Sequence, residues 1–280
     1  MHLSIGFSTC PNDTFIFDAL INGKVDTGEI KFDVWMGDIL ELNHKALRGE
    51  LDIVKVSYHT FGKVLDEYQL LDSGSAMGFG CGPLLVSKNI DSVDELIRKN
   101  LPVAIPGKET TANLLLGFLA PDLRNKIEMK FDLIINSVFT GEAAAGVIIH
   151  ESRFTYQNYG LKCLCDLGGY WEEKTSLPVP LGAIVASRAL GAEVIHAVDG
   201  LIRESVEYAI IHPESSADFV RKHAQEMDEK VIRKHIDLYV NKFSRSLGAE
   251  GRLAVKKLME VGEEMGIFVS GTAEIQEPEK

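Results

Sequence analysis

The chain has 280 residues, with 29 Lys and Arg against 41 Asp and Glu, for a formal net charge of -12. Its 45% hydrophobic and 25% charged residues exclude a disordered chain and suit one or two globular domains. The acidic balance argues against nonspecific nucleic-acid or anionic-membrane binding, since both need a basic surface, and no window approaches the roughly 20 apolar residues of a membrane span.

In chain order, Leu3, Ile5 and Phe7 alternate with small or polar residues and predict a half-buried strand. Asn12 or Asp13 is placed to cap a helix beginning near Thr14. Ile30, Phe32 and Val34 predict a strand, Ile39 to Leu47 a helix, and Ile53, Val54 and Val56 a third strand, with Ser57 capping a short helix. Such alternation builds an α/β unit on a mainly parallel sheet. The glycine-rich stretch Gly74 to Pro83 runs into the apolar strand Leu84 to Val86. Val103 and Ile105 predict a short strand, and Gly107 to Thr111 leads into an apolar helix, Ala112 to Leu119. Phe131, Leu133 and Ile135 alternate as in a strand, a helix is expected from about Phe139 to Ala145, and Val147 to Ile149 predicts another strand. Cys163 and Cys165 alternate within a strand, Tyr170 and Trp171 fall in a loop, and Leu181 to Ala186 predicts a return strand. Beyond Glu193 the pattern is helical over 193–211, 215–225, 229–243 and 250–265, with a frayed tail past Ser270.

Gly74 to Pro83 and Leu177 to Gly182 are the two places where the backbone is expected to change lobe. Residues 1–86 and 183–280 would then form one discontinuous α/β lobe and 87–182 the other. Two crossings imply an α/β, bilobal, periplasmic-binding-protein-like fold of type II, with strand ends facing a cleft between hinged lobes.

Polar segments at strand ends are the candidate site. Thr110 and Thr111 sit at a predicted helix start, where free backbone N–H groups and two hydroxyls can hold a carboxylate. His150 ends an apolar strand and, with an ordinary pKa near about 6.5, is suited to act as a base or to stand as a structural histidine. Asp13 reads as a base, a hydroxyl-binding group or a helix cap, and Asn12 as a donor and acceptor for a polar ligand. His235 and Tyr239 share a helix face, as do Asp237 and Asn241. The 4 cysteines form no C-x-x-C pair, so neither a disulfide framework nor a metal site is expected. No G-x-G-x-x-G follows the first strand and no G-x-S-x-G elbow occurs, so no nucleotide cofactor and no serine nucleophile are expected. The N-terminus, Met1 to Ile5, lacks the basic region of a leader, and a cytoplasmic location is expected.

At these motifs the chain resembles the MqnD family, the 1,4-dihydroxy-6-naphthoate synthases of the futalosine route to menaquinone. The resemblance covers nearly the whole chain. It is carried, in order and at compatible spacing, by Ser8 to Phe15, Lys55 to His59, Gly78 to Leu84, Pro106 to Ala112, His150 to Tyr156, Pro178 to Gly182 and His235 to Asn241. Thr9 and Tyr170 depart from the family pattern, which has proline and tryptophan there. The resemblance implies a cofactor-independent lyase with the bilobal fold. The reaction it implies converts cyclic dehypoxanthinyl futalosine to the naphthoate and dihydroxyacetone. It also implies that His150 is the base, with Asn12, Asp13, Ser57, Thr110, Thr111 and Arg153 around the substrate, a small aromatic carboxylate. A homodimer is expected only from the frequency of dimers. The alternatives are the related chorismate dehydratase, a carboxylate-binding protein without catalysis, and a ligand-sensing regulatory domain.

Overall fold

The computed structural model describes residues 1–224, 228–269 and 271–272. Gln225 to Met227, Ser270 and the tail 273–280, to which the sequence reading assigned a helix end and a frayed terminus, lie outside the described residues. Among the described residues eleven strands form two mixed sheets: β1 His2–Ser8, β2 Lys31–Gly37, β3 Ile53–Ser57, β4 Tyr68–Leu70, β5 Ala76–Gly78, β6 Leu84–Ser87, β7 Val103–Ile105, β8 Lys126–Glu128, β9 Ala145–Ile148, β10 Lys162–Asp166 and β11 Val179–Ser187. The first sheet has the order β2-β1-β3-β11-β4, with β5 also on β11; the second has β10-β6-β9-β7-β8. The expected mainly parallel sheet is therefore half right. β1 runs parallel to β2 and β3, but β11 is antiparallel to β3, β4 and β5.

Period-2 burial explains how the first sheet is covered on both faces. Leu3, Ile5, Phe7, Ile53, Ile184 and Ala186 face one core with the helices Pro11–Ile21, Ala192–Ile211 and Glu229–Tyr239. Their alternating neighbours Val54, Val56, Ala183 and Val185 enter a second core with the helix Gly248–Glu264. In the second sheet Leu84, Val86, Ala104 and Ile148 pack under the helix Ile134–Thr140.

The chain leaves the first sheet after β5 and returns at β11. Both glycine-bearing stretches thus hold the changes of sheet, but Leu84 to Val86, read as first-lobe, belong to the second sheet, and Val179 to Gly182, read as second-lobe, belong to the first. Gly82 and Gly168 touch backbone to backbone beside this crossing: a Cβ on Gly82 would lie 2.3 Å from the Gly168 Cα. The guanidinium of Arg153 braces the same point, donating to the Gly82 carbonyl and, at 2.8 Å, to the Asp166 carboxylate.

Several local readings are corrected. Phe131 to Leu133 form a 3-10 turn leading into the helix Ile134–Thr140, not a strand, and the strand of that region is β8. Tyr170 and Trp171 lie in the helix Leu167–Thr175, capped by Asp166; Trp171 is sealed in the core with its indole N–H on the Pro178 carbonyl. The helix from Glu229 ends at Tyr239, and Asn241 caps the next short helix, so Asp237 and Asn241 do not share a helix face as expected. Asp237 pairs with Arg233 instead, and the Asn241 amide donates to the Met77 carbonyl.

Candidate active site

The first helix starts three residues earlier than its polar residues imply. Pro11 takes a first-turn position and Cys10 the cap position, so Asn12 and Asp13 sit inside the first turn, buried. Proline suits that position because it lacks an N–H that would have no partner there. From the helix, the Asp13 carboxylate accepts the Ser8 hydroxyl at 2.7 Å and the Asn12 amide at 2.9 Å, and pairs with the Lys55 ammonium at 3.2 Å. Lys55 in turn donates to the Gly74 carbonyl at 2.7 Å. Both ions are buried, and these bonds offset their lost hydration.

Asn12 extends this network. Its amide nitrogen serves Asp13, so its oxygen faces His235 Nε2 at 2.8 Å and requires a proton on that nitrogen. His235 is fully buried, held well below the ordinary histidine range by desolvation and by His150, and lies between two rings. Tyr239 lies 4.6 Å away and His150 6.1 Å away, between centroids.

His150 stands two residues past the end of β9, in a turn with φ 56°. The strand ends before His150, so no strand alternation relates it to Glu151 and Arg153. The His150 ring packs on Phe131 at 4.8 Å, and its Nδ1 lies 3.5 Å from the Cys10 sulfur. Nε2 is shielded and has no hydrogen-bond partner among the described residues. Burial pulls the imidazole down to about 4 against the fields of Asp13 and Asp38, so it is neutral at physiological pH. In the tautomer whose Nδ1–H donates to sulfur, Nε2 presents a lone pair, the form a general base needs.

Across the cleft, Thr110 caps the helix Thr111–Leu119 by accepting the Asn113 N–H, and its own hydroxyl donates to the Gly107 carbonyl at 2.7 Å. The Thr111 hydroxyl donates to the Leu181 carbonyl at 2.9 Å. Both hydroxyl protons, expected to serve a ligand, are thus spoken for by the protein. The first-turn N–H groups of Thr111 and Ala112 remain, since no helical carbonyl precedes them. Ser57 also stays available: Asn43 donates to its oxygen at 3.1 Å, which leaves its proton to give. Ser57 occupies a cap position without capping.

These groups surround one cleft. Ser8, Asn12, Asp13, Lys55, Ser57, Thr110, Thr111, His150 and Tyr239 supply its polar wall, and Ile39, Pro83, Ala112, Ile149 and Leu181 its apolar one. A family profile described as "Menaquinone biosynthesis" matches residues 3–264. The chain belongs to the menaquinone-biosynthesis family. It is 46% identical over 265 residues to the 1,4-dihydroxy-6-naphthoate synthase of Thermus thermophilus, covering 95% of each chain. It is 45% identical over 262 residues to that of Streptomyces coelicolor, covering 92% of this chain and 91% of the other. A solved structure from Archaeoglobus fulgidus superposes with a TM-score of 0.89 at 34% identity, covering 95% of this chain and 98% of that one. The periplasmic aliphatic sulphonate binding protein SsuA of Escherichia coli gives 0.67 at 14% identity, covering 100% and 93%, a likeness of fold: this is the bilobal periplasmic-binding-protein architecture.

In this member of the menaquinone-biosynthesis family the structure brings together Asn12, Asp13, Ser57, Thr110, Thr111 and His150 around the cleft, and sets Arg153 outside it, on Gly82 and Asp166. Sequence reasoning passed over Lys55 and Asn43. A lysine between two valines at the end of a strand was the available signal, since a charge on an apolar strand needs a buried partner. Tyr239 was noted only for its shared face with His235. Among the described residues no helix is long and apolar enough to cross a membrane.

The loop before Thr110 is tied to the first lobe. His59 Nδ1 lies 3.2 Å from the Thr110 carbonyl, and the Thr60 hydroxyl donates to the Glu109 carbonyl at 2.9 Å. Burial lowers His59 to about 4, although the Thr110 carbonyl opposes that shift. Because its folded pKa is below its unfolded value of about 6.5, the unfolded chain takes up the proton first as the pH falls. Stability is therefore expected to drop between pH 6.5 and 4, by about 2 kcal/mol from this residue at pH 5. Urea midpoints at pH 7.5 and pH 5 should converge in His59→Gln relative to the unaltered chain. An equal drop in both would assign the acid sensitivity elsewhere.

Proposed function

We propose that the chain is a 1,4-dihydroxy-6-naphthoate synthase that converts cyclic dehypoxanthinyl futalosine to 1,4-dihydroxy-6-naphthoate and dihydroxyacetone. The observation that carries this reading is a neutral imidazole with an unpartnered Nε2, set in a cleft that also holds the N-terminus of an apolar helix. The substrate carries an aromatic carboxylate at one end and a hydroxylated ring at the other. The carboxylate suits the free N–H groups of Thr111 and Ala112, where the helix dipole adds favourable charge. The aromatic ring suits Ile39, Pro83, Ile149 and Leu181, and the sugar-derived hydroxyls suit Ser57, Asn12 and Asp13. His150 Nε2 accepts the proton whose loss lets the carbon–carbon bond to the sugar fragment break. The fragment leaves as dihydroxyacetone, and the conjugation gained by the naphthalene ring drives the step. The protein's share is fixed orientation, exclusion of water and one proton transfer.

Purified protein should release the naphthoate and an equal amount of dihydroxyacetone from that substrate with no added cofactor or metal, followed by mass-resolved chromatography. Intact substrate beside an active control enzyme would overturn the reading, and loss of water from chorismate would replace it with the dehydratase. The carboxylate seat has its own test. Thr110 is extended (φ -92°, ψ 148°), a conformation that tolerates a following proline. Thr111→Pro then removes one first-turn N–H and the hydroxyl while sparing the helix, and Thr111→Val removes the hydroxyl alone. The KM of the proline variant should exceed that of the valine variant about tenfold, the equivalent of one charge-assisted hydrogen bond. Equal KM values would move the carboxylate elsewhere.

A further inference from the structure

Cys10 and His150 are 140 positions apart and follow strands of different sheets, β1 and β9, yet their sulfur and Nδ1 lie 3.5 Å apart. Glu151 follows His150 in the same turn, and one ligand atom from each of the three lies within 4.8 Å of the others. Cys10 and Glu151 are buried and His150 is half-buried, so this is no chance cluster of surface acids. We propose that Cys10, His150 and Glu151 form a three-ligand seat for a borderline divalent cation of the Zn²⁺ kind, which joins the segments after β1 and β9 and shuts the site down.

Three observations support the seat. A tetrahedral zinc with Zn–S of about 2.3 Å and Zn–N of about 2.0–2.1 Å spans about 3.5 Å from sulfur to nitrogen, the separation already present. The donor set, one thiolate, one imidazole and one carboxylate, leaves the fourth position for water or a substrate oxygen. Sulfur and nitrogen donors select zinc over magnesium. The charges also close: a dication with a thiolate and a carboxylate is neutral, which a buried site favours. On binding, Cys10 releases its S–H proton to solvent, the ring proton moves from Nδ1 to Nε2, and the freed Nδ1 lone pair goes to the metal. The base is then blocked. That last consequence rests on the role proposed for His150; the seat itself does not.

Binding is therefore read without substrate. The full chain, kept reduced, is titrated with Co²⁺ and watched for the near-ultraviolet thiolate-to-cobalt band and the visible bands of a tetrahedral site, and with Zn²⁺ by calorimetry. One equivalent should bind, Mg²⁺ should not, Cys10→Ser should abolish the thiolate band, and Glu151→Gln should weaken Zn²⁺ at least about tenfold. Cys163→Ser, at an exposed cysteine, should change nothing. Absence of the thiolate band, or its survival in Cys10→Ser, would overturn the seat whatever the activity. Saturation with Zn²⁺ that leaves turnover intact would overturn the inhibition.

Discussion

Replacing His150 with asparagine is expected to lower kcat by about 10²–10⁴-fold, the usual contribution of a positioned base, with KM and the melting temperature little changed. Asparagine is the informative choice because His150 sits at φ 56°. Asparagine accepts the left-handed region readily, whereas alanine there adds roughly 1–2 kcal/mol of backbone cost and would mix folding with catalysis. The imidazole contacts on Phe131 and His235 are lost, but His235 keeps Tyr239 and Asn12. Steady-state kinetics with product quantification, beside a thermal melt, separates the effects. Turnover within about threefold of the unaltered chain would remove His150 from the chemistry.

The second large effect is expected at Lys55. Lys55→Met leaves the Asp13 carboxylate buried without its cation, which costs about 3–5 kcal/mol. For a chain of this size that is a fall in melting temperature of roughly 10 °C. The double variant with Asp13→Asn should recover most of that stability, because an amide needs no countercharge and Ser8 and Asn12 still reach it. Activity should not recover with it, since Lys55 and Asp13 both line the cleft and the double variant removes both of their charges from it. A double-mutant cycle measures the coupling directly. Additive losses in the two single variants would show that Lys55 and Asp13 do not act as a pair.

The strands of the first sheet were legible because their faces differ. Leu3, Ile5 and Phe7 alternate with residues of another kind, and a period of two is hard to mistake over seven positions. The same logic failed at Phe131, Leu133 and Ile135, where three alternating apolar residues also fit a short turn followed by a helix that buries Ile134 and Val138. Thr110 was legible as a helix cap, since cap chemistry is local. What its hydroxyl does was not legible, because the acceptor of its proton is set by how the loop folds back on Gly107. Arg153 shows the same limit. Its place beside His150 in the chain implies a shared site, yet a turn separates them and sends the guanidinium to the crossing between sheets. Lys55, Asn43 and the Cys10–His150 contact rest on pairings between distant segments, which no local pattern encodes.

The placement of β11 has a consequence for the birth of the molecule. The inner edge of β3 is covered by a strand that ends at Ser187, 130 positions after β3 ends at Ser57. At about 5–20 residues per second, a ribosome needs on the order of ten seconds to make that stretch. During that time the nascent first lobe carries an open apolar edge, the kind of surface that pairs with other chains. The second sheet, by contrast, uses only residues between Leu84 and Asp166 and is complete before its partner. Crowded translation or a lack of chaperones should therefore harm the yield of this protein through its first lobe. Slowing synthesis within residues 58–178 should make that worse, whereas slowing it after Ser187 should not.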